Sequence, residues 1–213
     1  MARGARRRVL PDVHDLTGAG RPPVRSRQGG ATLTALRDLR PVYLRGSSVY
    51  LRAMVEADKE RGAAWLDETF PVNAARAEAA LKEEHEGPWW LRSARRLAIA
   101  LADGDEVVGS SRVRSFDRSR TCQVSFAMAP WRDDADELRA EALALLVHWL
   151  RDESEAMVVT VELPADEPAT IAAAEALGMA RNARLREWFG RPGGRVDCLV
   201  YQALNPRWEV RDA

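Results

Sequence analysis

The segment 121–164 limits the possible folds more than any other part of the chain. "TCQVSFAM" alternates, with Cys122, Val124, Phe126 and Met128 on one face and Thr121, Gln123, Ser125 and Ala127 on the other. That is the period-two pattern of a half-buried strand. "ELRAEALALLVHWL" then repeats Leu138, Ala142, Leu145, Leu146 and Trp149 at helical spacing. "MVVTVEL" follows as a continuous apolar run, which reads as a strand buried on both faces. Strand, amphipathic helix and buried strand in succession require a sheet with helices packed against it.

The flanking sequence extends this pattern. "SSVYLRAM" alternates as a strand. "EADKERGAAWLDETF" reads as a helix, broken near Gly62 or ending before Pro71. "VNAARAEAALKEEH" reads as a second helix with Asn73 as its N-cap. "RRLAIALADGDEVVGSSRVRSF" is two strands joined by the hairpin signal "DGD". "DEPATIAAAEALGM" is a helix with Pro168 near its start and Gly178 at its stop. "ARNARLREWFG" and "RVDCLVYQAL" are strands around the turn "RPGG". The order β-α-α-β-β-β-α-β-α-β-β predicts an α/β (α+β) fold, one sheet of about seven strands flanked by about four helices.

Three segments are expected: a basic, Pro- and Gly-rich extension over 1–41, a folded domain over 42–207, and a short tail over 208–213. Residues 1–52 carry eleven arginines against three aspartates, so the remaining chain is acidic by the same amount. Lys59 and Lys82 are the only lysines, so the arginine bias is read as composition and nucleic acid is not an expected partner. No run of 18 apolar residues exists, so no membrane span is expected. The arginines of "MARGARRRVL" precede no apolar stretch, which argues against a secretory signal and for a cytoplasmic protein. Cys122 and Cys198 lie in apolar runs and read as buried, reduced thiols, and no Cys/His cluster suggests a metal.

Four pieces together resemble the GNAT superfamily of acyl-CoA-dependent N-acyltransferases. They are "VYLRAMVEAD", "DGDEVVGSSRV", "EALALLVHWLRDE", and "DEPATIAAAEALGMARNARLREWF" with Asp197 and Tyr201 beyond it. Order and spacing are similar to the branch that acetylates ribosomal-protein N-termini, over about residues 44–204. The resemblance implies a mostly antiparallel mixed sheet and acetyl-CoA as cofactor. It implies a small-molecule or peptide amine as acceptor, and leaves room for a homodimer. The cofactor's pantetheine arm would lie between the strands at 121–128 and 157–163, against the main chain of Ala127, Met128 and Ala129. Its pyrophosphate would meet the helix start near Leu138, Arg139 and Ala140. Glu167 stands where the family places an amine-orienting Asn, and Thr170 where it places a nearby Ser. With no carboxylate on the polar face of "TCQVSFAM", Glu167 and Ser125 are the expected catalytic residues. The family's Tyr before the final "LG" is absent, since Ala173, Ala174 and Glu175 occupy that place. Trp89 and Trp90 either line an acceptor pocket or cap the core.

The chain departs from the family at the pyrophosphate turn, Gln/Arg-x-x-Gly-x-Gly/Ala. Residues 134–139 read Asp-Ala-Asp-Glu-Leu-Arg, with no match at the lead position, Asp134, or at the small positions, Glu137 and Arg139. Asp134-x-x-Glu137 instead has the form of a capping box, whose carboxylates would take the N–H groups otherwise offered to phosphate. The expectation is a degenerate cofactor turn capped by its own side chains. The alternative to an acyltransferase is then an inactive GNAT-fold binding or regulatory module that does not use acetyl-CoA.

Overall fold

The computed structural model describes residues 42–68, 71–86, 94–116, 120–154 and 156–207. Among these residues are eight strands: β1 (Val42–Arg45), β2 (Val49–Ala53), β3 (Ala94–Leu101), β4 (Val107–Phe116), β5 (Thr121–Met128), β6 (Val158–Pro164), β7 (Ala180–Arg191) and β8 (Gly194–Leu204). The helices are α1 (Gly62–Trp65), α2 (Ala74–Glu86), α3 (Ala135–Asp152) and α4 (Pro168–Ala176), with a 3-10 turn at Glu56–Arg61. The strands form one sheet in the order β1-β2-β3-β4-β5-β6-β8-β7. Every pairing is antiparallel except β5 with β6. That parallel pair needs a long crossover, and α3 provides it.

The sheet separates two apolar clusters. On one face, Leu138, Ala142, Leu143, Leu146, Val147 and Leu150 of α3 pack on Leu51, Ile99, Val124, Val161 and Tyr201. On the other, Trp65, Ala77 and Ala80 pack on Ala98 and Val107. Alternation along each strand therefore decides which side chains meet which helices.

Several boundaries follow the local chemistry read from sequence. Asn73 caps α2, its Oδ1 accepting the Arg76 N–H at 2.9 Å. Pro168 is the first residue of α4, and Gly178 (φ +73°) closes that helix. The turn between β3 and β4 carries left-handed Gly104 and Asp105 (φ 83° and 55°), as a tight hairpin demands. Both cysteines are buried and free. Burial pushes the Cys198 thiol up to about 11, so it is no nucleophile at neutral pH.

Four expectations need correction. The sheet has eight strands among the described residues where about seven were expected, because "VYLR" at 42–45 adds an edge hairpin too short to show periodicity. The helix expected over "EADKERGAAWLDETF" does break at Gly62, but its first part is a 3-10 turn and its second a single α turn ending at Trp65. Buried Arg52 dictates this. Its guanidinium grips Asp58 at 2.7 and 2.9 Å, Asp58 takes the Val55 N–H at 2.8 Å, and the Trp65 indole N–H donates to the Asp58 carbonyl at 2.8 Å. Opposing carboxylates outweigh the desolvation of Arg52 and hold its pKa above the ordinary value. Third, β6 is not buried on both faces. Val159, Val161 and Leu163 are buried, whereas Val158, Thr160 and Glu162 on the opposite face are partly open. Fourth, the core stripe of α3 runs through Leu143, Val147 and Leu150, leaving Trp149 on its border and 40% exposed.

The segments 1–41 and 208–213, assigned from sequence to an extension and a tail, lie outside the described residues, as do Trp89 and Trp90. No helix among the described residues is long and apolar enough to cross a membrane.

Candidate active site

The parallel ladder joins Thr121–Val124 to Val158–Val161 and stops there. Beyond it, Ser125–Met128 of β5 pair with β4, and Glu162–Pro164 of β6 pair with β8. The two central strands therefore part, opening a cleft between them. Helix α3 follows one strand and α4 the other, so both helix N-termini stand at the end where the strands part.

Main-chain direction decides which residues face the cleft. The Ala129 N–H donates to the Val108 carbonyl at 2.8 Å. Alternation turns the peptide groups of Ala127 the same way, toward β4. Those of Phe126 and Met128 point to the opposite edge, where β6 has departed. Of the three residues whose main chain was expected along the cofactor, Met128 turns its peptide groups to the open edge, as Phe126 does, and Ala127 and Ala129 turn theirs to β4. Gly109, opposite Met128, permits the tight approach of β4, since a Cβ there would lie 2.5 Å from the Ala127 carbonyl oxygen.

The entrance of α3 differs from the capping-box expectation. The N-cap Asp134 makes no side-chain cap. Its carboxylate turns outward to the Arg132 guanidinium, at 2.7 and 2.6 Å, which holds its pKa below the usual carboxylate range. Asp136, in the first turn of α3, points across to the first turn of α4. Its Oδ2 accepts the Ala169 N–H at 2.8 Å and its Oδ1 the Thr170 N–H at 2.9 Å. The Thr170 hydroxyl lies 2.6 Å from Oδ1 and 3.1 Å from the Asp136 carbonyl oxygen. Glu137 is exposed. Asp136 thus caps the neighbouring helix and Asp134 pairs with arginine, while Asp133 and Glu137 face solvent. The first intrahelical bond of α3 runs from the Leu138 N–H to the Asp134 carbonyl, at 3.1 Å. The open donors are consequently those of Ala135, Asp136 and Glu137, one turn before the expected Leu138, Arg139 and Ala140.

Glu167 and Arg139 meet where the two helix starts converge. Glu167 is buried, with Oε1 2.6 Å from Arg191 Nη2 and Oε2 against Arg139 Nη1. Arg191 also holds Asp166 at 3.0 Å. Burial and the Arg191 cation push Arg139 down to about 10, so it stays a cation at neutral pH. Each oxygen of Glu167 thus faces a guanidinium, Oε1 that of Arg191 and Oε2 that of Arg139. It braces α3, α4 and β7 together.

The polar face of β5 lies on the opposite side of the sheet from α3. Ser125 is exposed there, opposite Arg112 of β4. Gln123, two residues earlier, donates through Nε2 to Glu162 Oε1 at 3.0 Å. Glu162 is the first residue of β6 beyond the parallel ladder, so its carboxylate stands where the cleft opens. Sequence reasoning missed Glu162, although the signal was present: Thr160 and Glu162 interrupt "MVVTVEL" at period two. Asp136 gave no such signal, because its partners lie 33 and 34 residues away.

Comparison with solved structures gives the fold a context. A protein of Sphaerobacter thermophilus assigned as an acetyltransferase is 52% identical, with a TM-score of 0.63, over 78% of this chain and 99% of that one. The ribosomal-protein-S5-alanine acetyltransferase of Vibrio fischeri shares the fold at 11% identity and a TM-score of 0.57, over 79% of this chain and 98% of that one. RimJ of Mycobacterium smegmatis, solved in complex with CoA-disulfide, shares it at 14% identity and a TM-score of 0.56, over 78% and 87%. No family profile matches the chain, and no protein of curated function does either.

Proposed function

Because this chain belongs to the GNAT family of acetyltransferases, we propose that it moves an acetyl group from acetyl-CoA to an amine across the β5–β6 cleft, with Glu162 receiving the amine's proton. The observation that carries this reading is the pairing of two features at one place. The strands part after Val124 and Val161, and the α3 entrance beside them is left without a side-chain cap. The departure from the glycine-bearing turn therefore does not close the entrance, and the inactive-module alternative loses its main argument.

The residues present fit the cofactor. Phe126 and Met128 offer main-chain donors and acceptors along the cleft, where an amide-bearing arm can pair as a strand would. The open N–H groups of Ala135, Asp136 and Glu137, with the positive end of the α3 dipole, suit a pyrophosphate. Acetyl-CoA supplies an activated thioester carbonyl. Whichever N–H of Phe126 or Met128 the arm left unpaired would be the main-chain donor to that carbonyl.

An amine attacks only after losing a proton, and a positioned carboxylate contributes about 10²–10⁴-fold to such a step. Glu162 fits this role, held in orientation by the Gln123 amide. Ser125, on the same face, offers its hydroxyl to the acceptor. The acceptor is a small-molecule or peptide amine. The test is CoA release from acetyl-CoA against a panel of amines and N-terminal peptides. Glu162→Gln should lower kcat about 100-fold with the melting temperature unchanged. Undiminished turnover in that variant would remove Glu162 as base.

A further inference from the structure

We propose that Asp136 is a positioning residue for the cofactor: by bonding the first turn of α4 rather than its own helix, it keeps the α3 entrance open to an anion. The proposal rests on the acyl-CoA reading above and deepens it.

An Asp in the first turn of a helix ordinarily interacts with that helix's own unpaired N–H groups and positive dipole end. Asp136 occupies such a place, and left free its carboxylate would compete with a bound pyrophosphate for the same donors. It is not free. The N–H groups of Ala169 and Thr170 and the Thr170 hydroxyl take both its oxygens, at 2.6–2.9 Å. This satisfies α4, whose own N-cap Glu167 makes no side-chain cap because its carboxylate serves Arg139 and Arg191. Each helix entrance beside the cleft is thus served differently. The α4 entrance is closed by a residue of α3, and the α3 entrance is left open by the same contact. Asp134 is withdrawn in parallel by Arg132. Of the four carboxylates in Asp-Asp-Ala-Asp-Glu, Asp134 and Asp136 are diverted to other partners and Asp133 and Glu137 are exposed to solvent, where their charge is screened. Because Asp136 bonds both N–H groups and the hydroxyl of the α4 start, it also ties the two helix starts together.

The experiment compares CoA with S-acetylpantetheine, which shares the arm but lacks the phosphates. Affinities for both are measured by calorimetry with the full chain, for the unaltered protein, Thr170→Val and Thr170→Ser. Val removes the hydroxyl that pins the Asp136 carboxylate, and Ser keeps it. Thr170→Val should weaken CoA about five-fold, the equivalent of one lost hydrogen bond, and leave S-acetylpantetheine unchanged. Thr170→Ser should bind both ligands as the unaltered chain does, and it keeps the comparison usable if the Val variant folds poorly. Equal losses for both ligands in the Val variant would mean that the contact only supports the fold, overturning the proposal. Unchanged CoA affinity would overturn it as well. If the unaltered chain bound S-acetylpantetheine but not CoA, the open-entrance argument would fail while the cleft remained. If it bound neither ligand, the acyl-CoA reading would fall, and this proposal with it.

Discussion

Replacing Glu167 by Gln isolates the buried brace. The change keeps the shape of the side chain and removes its charge. Glu167 is 7% exposed, and its partners differ: the Arg139 side chain is 11% exposed and that of Arg191 35%. Losing one partner of a buried pair costs about 3–5 kcal/mol, because the other charge is left uncompensated. That cost applies to Arg139. Arg191 keeps Asp166 at 3.0 Å and is partly solvated, so its share is under about 1 kcal/mol. Asp136 and Asp166 still offer Arg139 some opposite charge, which lowers the total to about 2–4 kcal/mol. The assay is urea unfolding followed by tryptophan fluorescence. The midpoint should fall by about 1–2 M with the slope unchanged, at an m-value of about 2 kcal/mol/M. An unchanged midpoint would refute the brace and return Glu167 to candidacy as a catalytic group.

Other substitutions probe the remaining contacts. Glu141 of α3 accepts the Ser47 and Ser48 N–H groups at the β1–β2 turn, and although burial alone would raise its pKa, these bonds hold it below the ordinary value. A carboxyl depressed in the folded state stabilises above its unfolded pKa, about 4.3, and loses that contribution as pH falls through the folded value. The stability gap between the native chain and Glu141→Gln should therefore be largest above about pH 5 and shrink in acid; a gap independent of pH would contradict this. A Cβ at Gly46 would lie 2.1 Å from Glu141 Oε1, so Gly46→Ala should displace the carboxylate, cost about 1–2 kcal/mol, and add nothing to Glu141→Gln. Full additivity in the double mutant would show that the two act separately. Gly109→Ala should cost about 2–4 kcal/mol, because the obstacle is the backbone carbonyl of Ala127 and cannot rotate away. A native-like melting temperature in that variant would show that β4 can shift.

What the sequence disclosed was whatever depended on neighbours along the chain. Asn73, Pro168 and Gly178 mark helix ends through their own backbone chemistry, and all three stand where that chemistry requires. The alternation of β5 was equally local. The misreadings came where a distant residue decided the outcome. The segment after β2 looks helical by periodicity, but buried Arg52 draws Asp58 inward and tightens it to a 3-10 turn. The Asp134-x-x-Glu137 pattern is a valid capping box until Arg132 takes Asp134. Asp136 lies in the first turn of its own helix, and only tertiary packing shows it serving another. Glu162 was legible and overlooked, because a run of valines hid a period-two polar pattern. The parting of β5 and β6 has no local signal at all: it is visible only in where the ladder stops.

The far edge of the sheet sets limits on the protein in concentrated solution. β7 is the last strand and twelve residues long, which would ordinarily make it an open template for another chain's backbone. It is poorly suited to that. Glu187 breaks its line with φ 49°, and the register to β8 slips between Leu185 and Phe189. Arg181, Arg184 and Arg186 stand exposed along it, so a second copy would bring like charges face to face. The opposite edge, β1, has only four residues. Among the described residues, neither end of the sheet offers a long, straight, neutral run of peptide groups, which disfavours growth of the sheet by strands from other molecules.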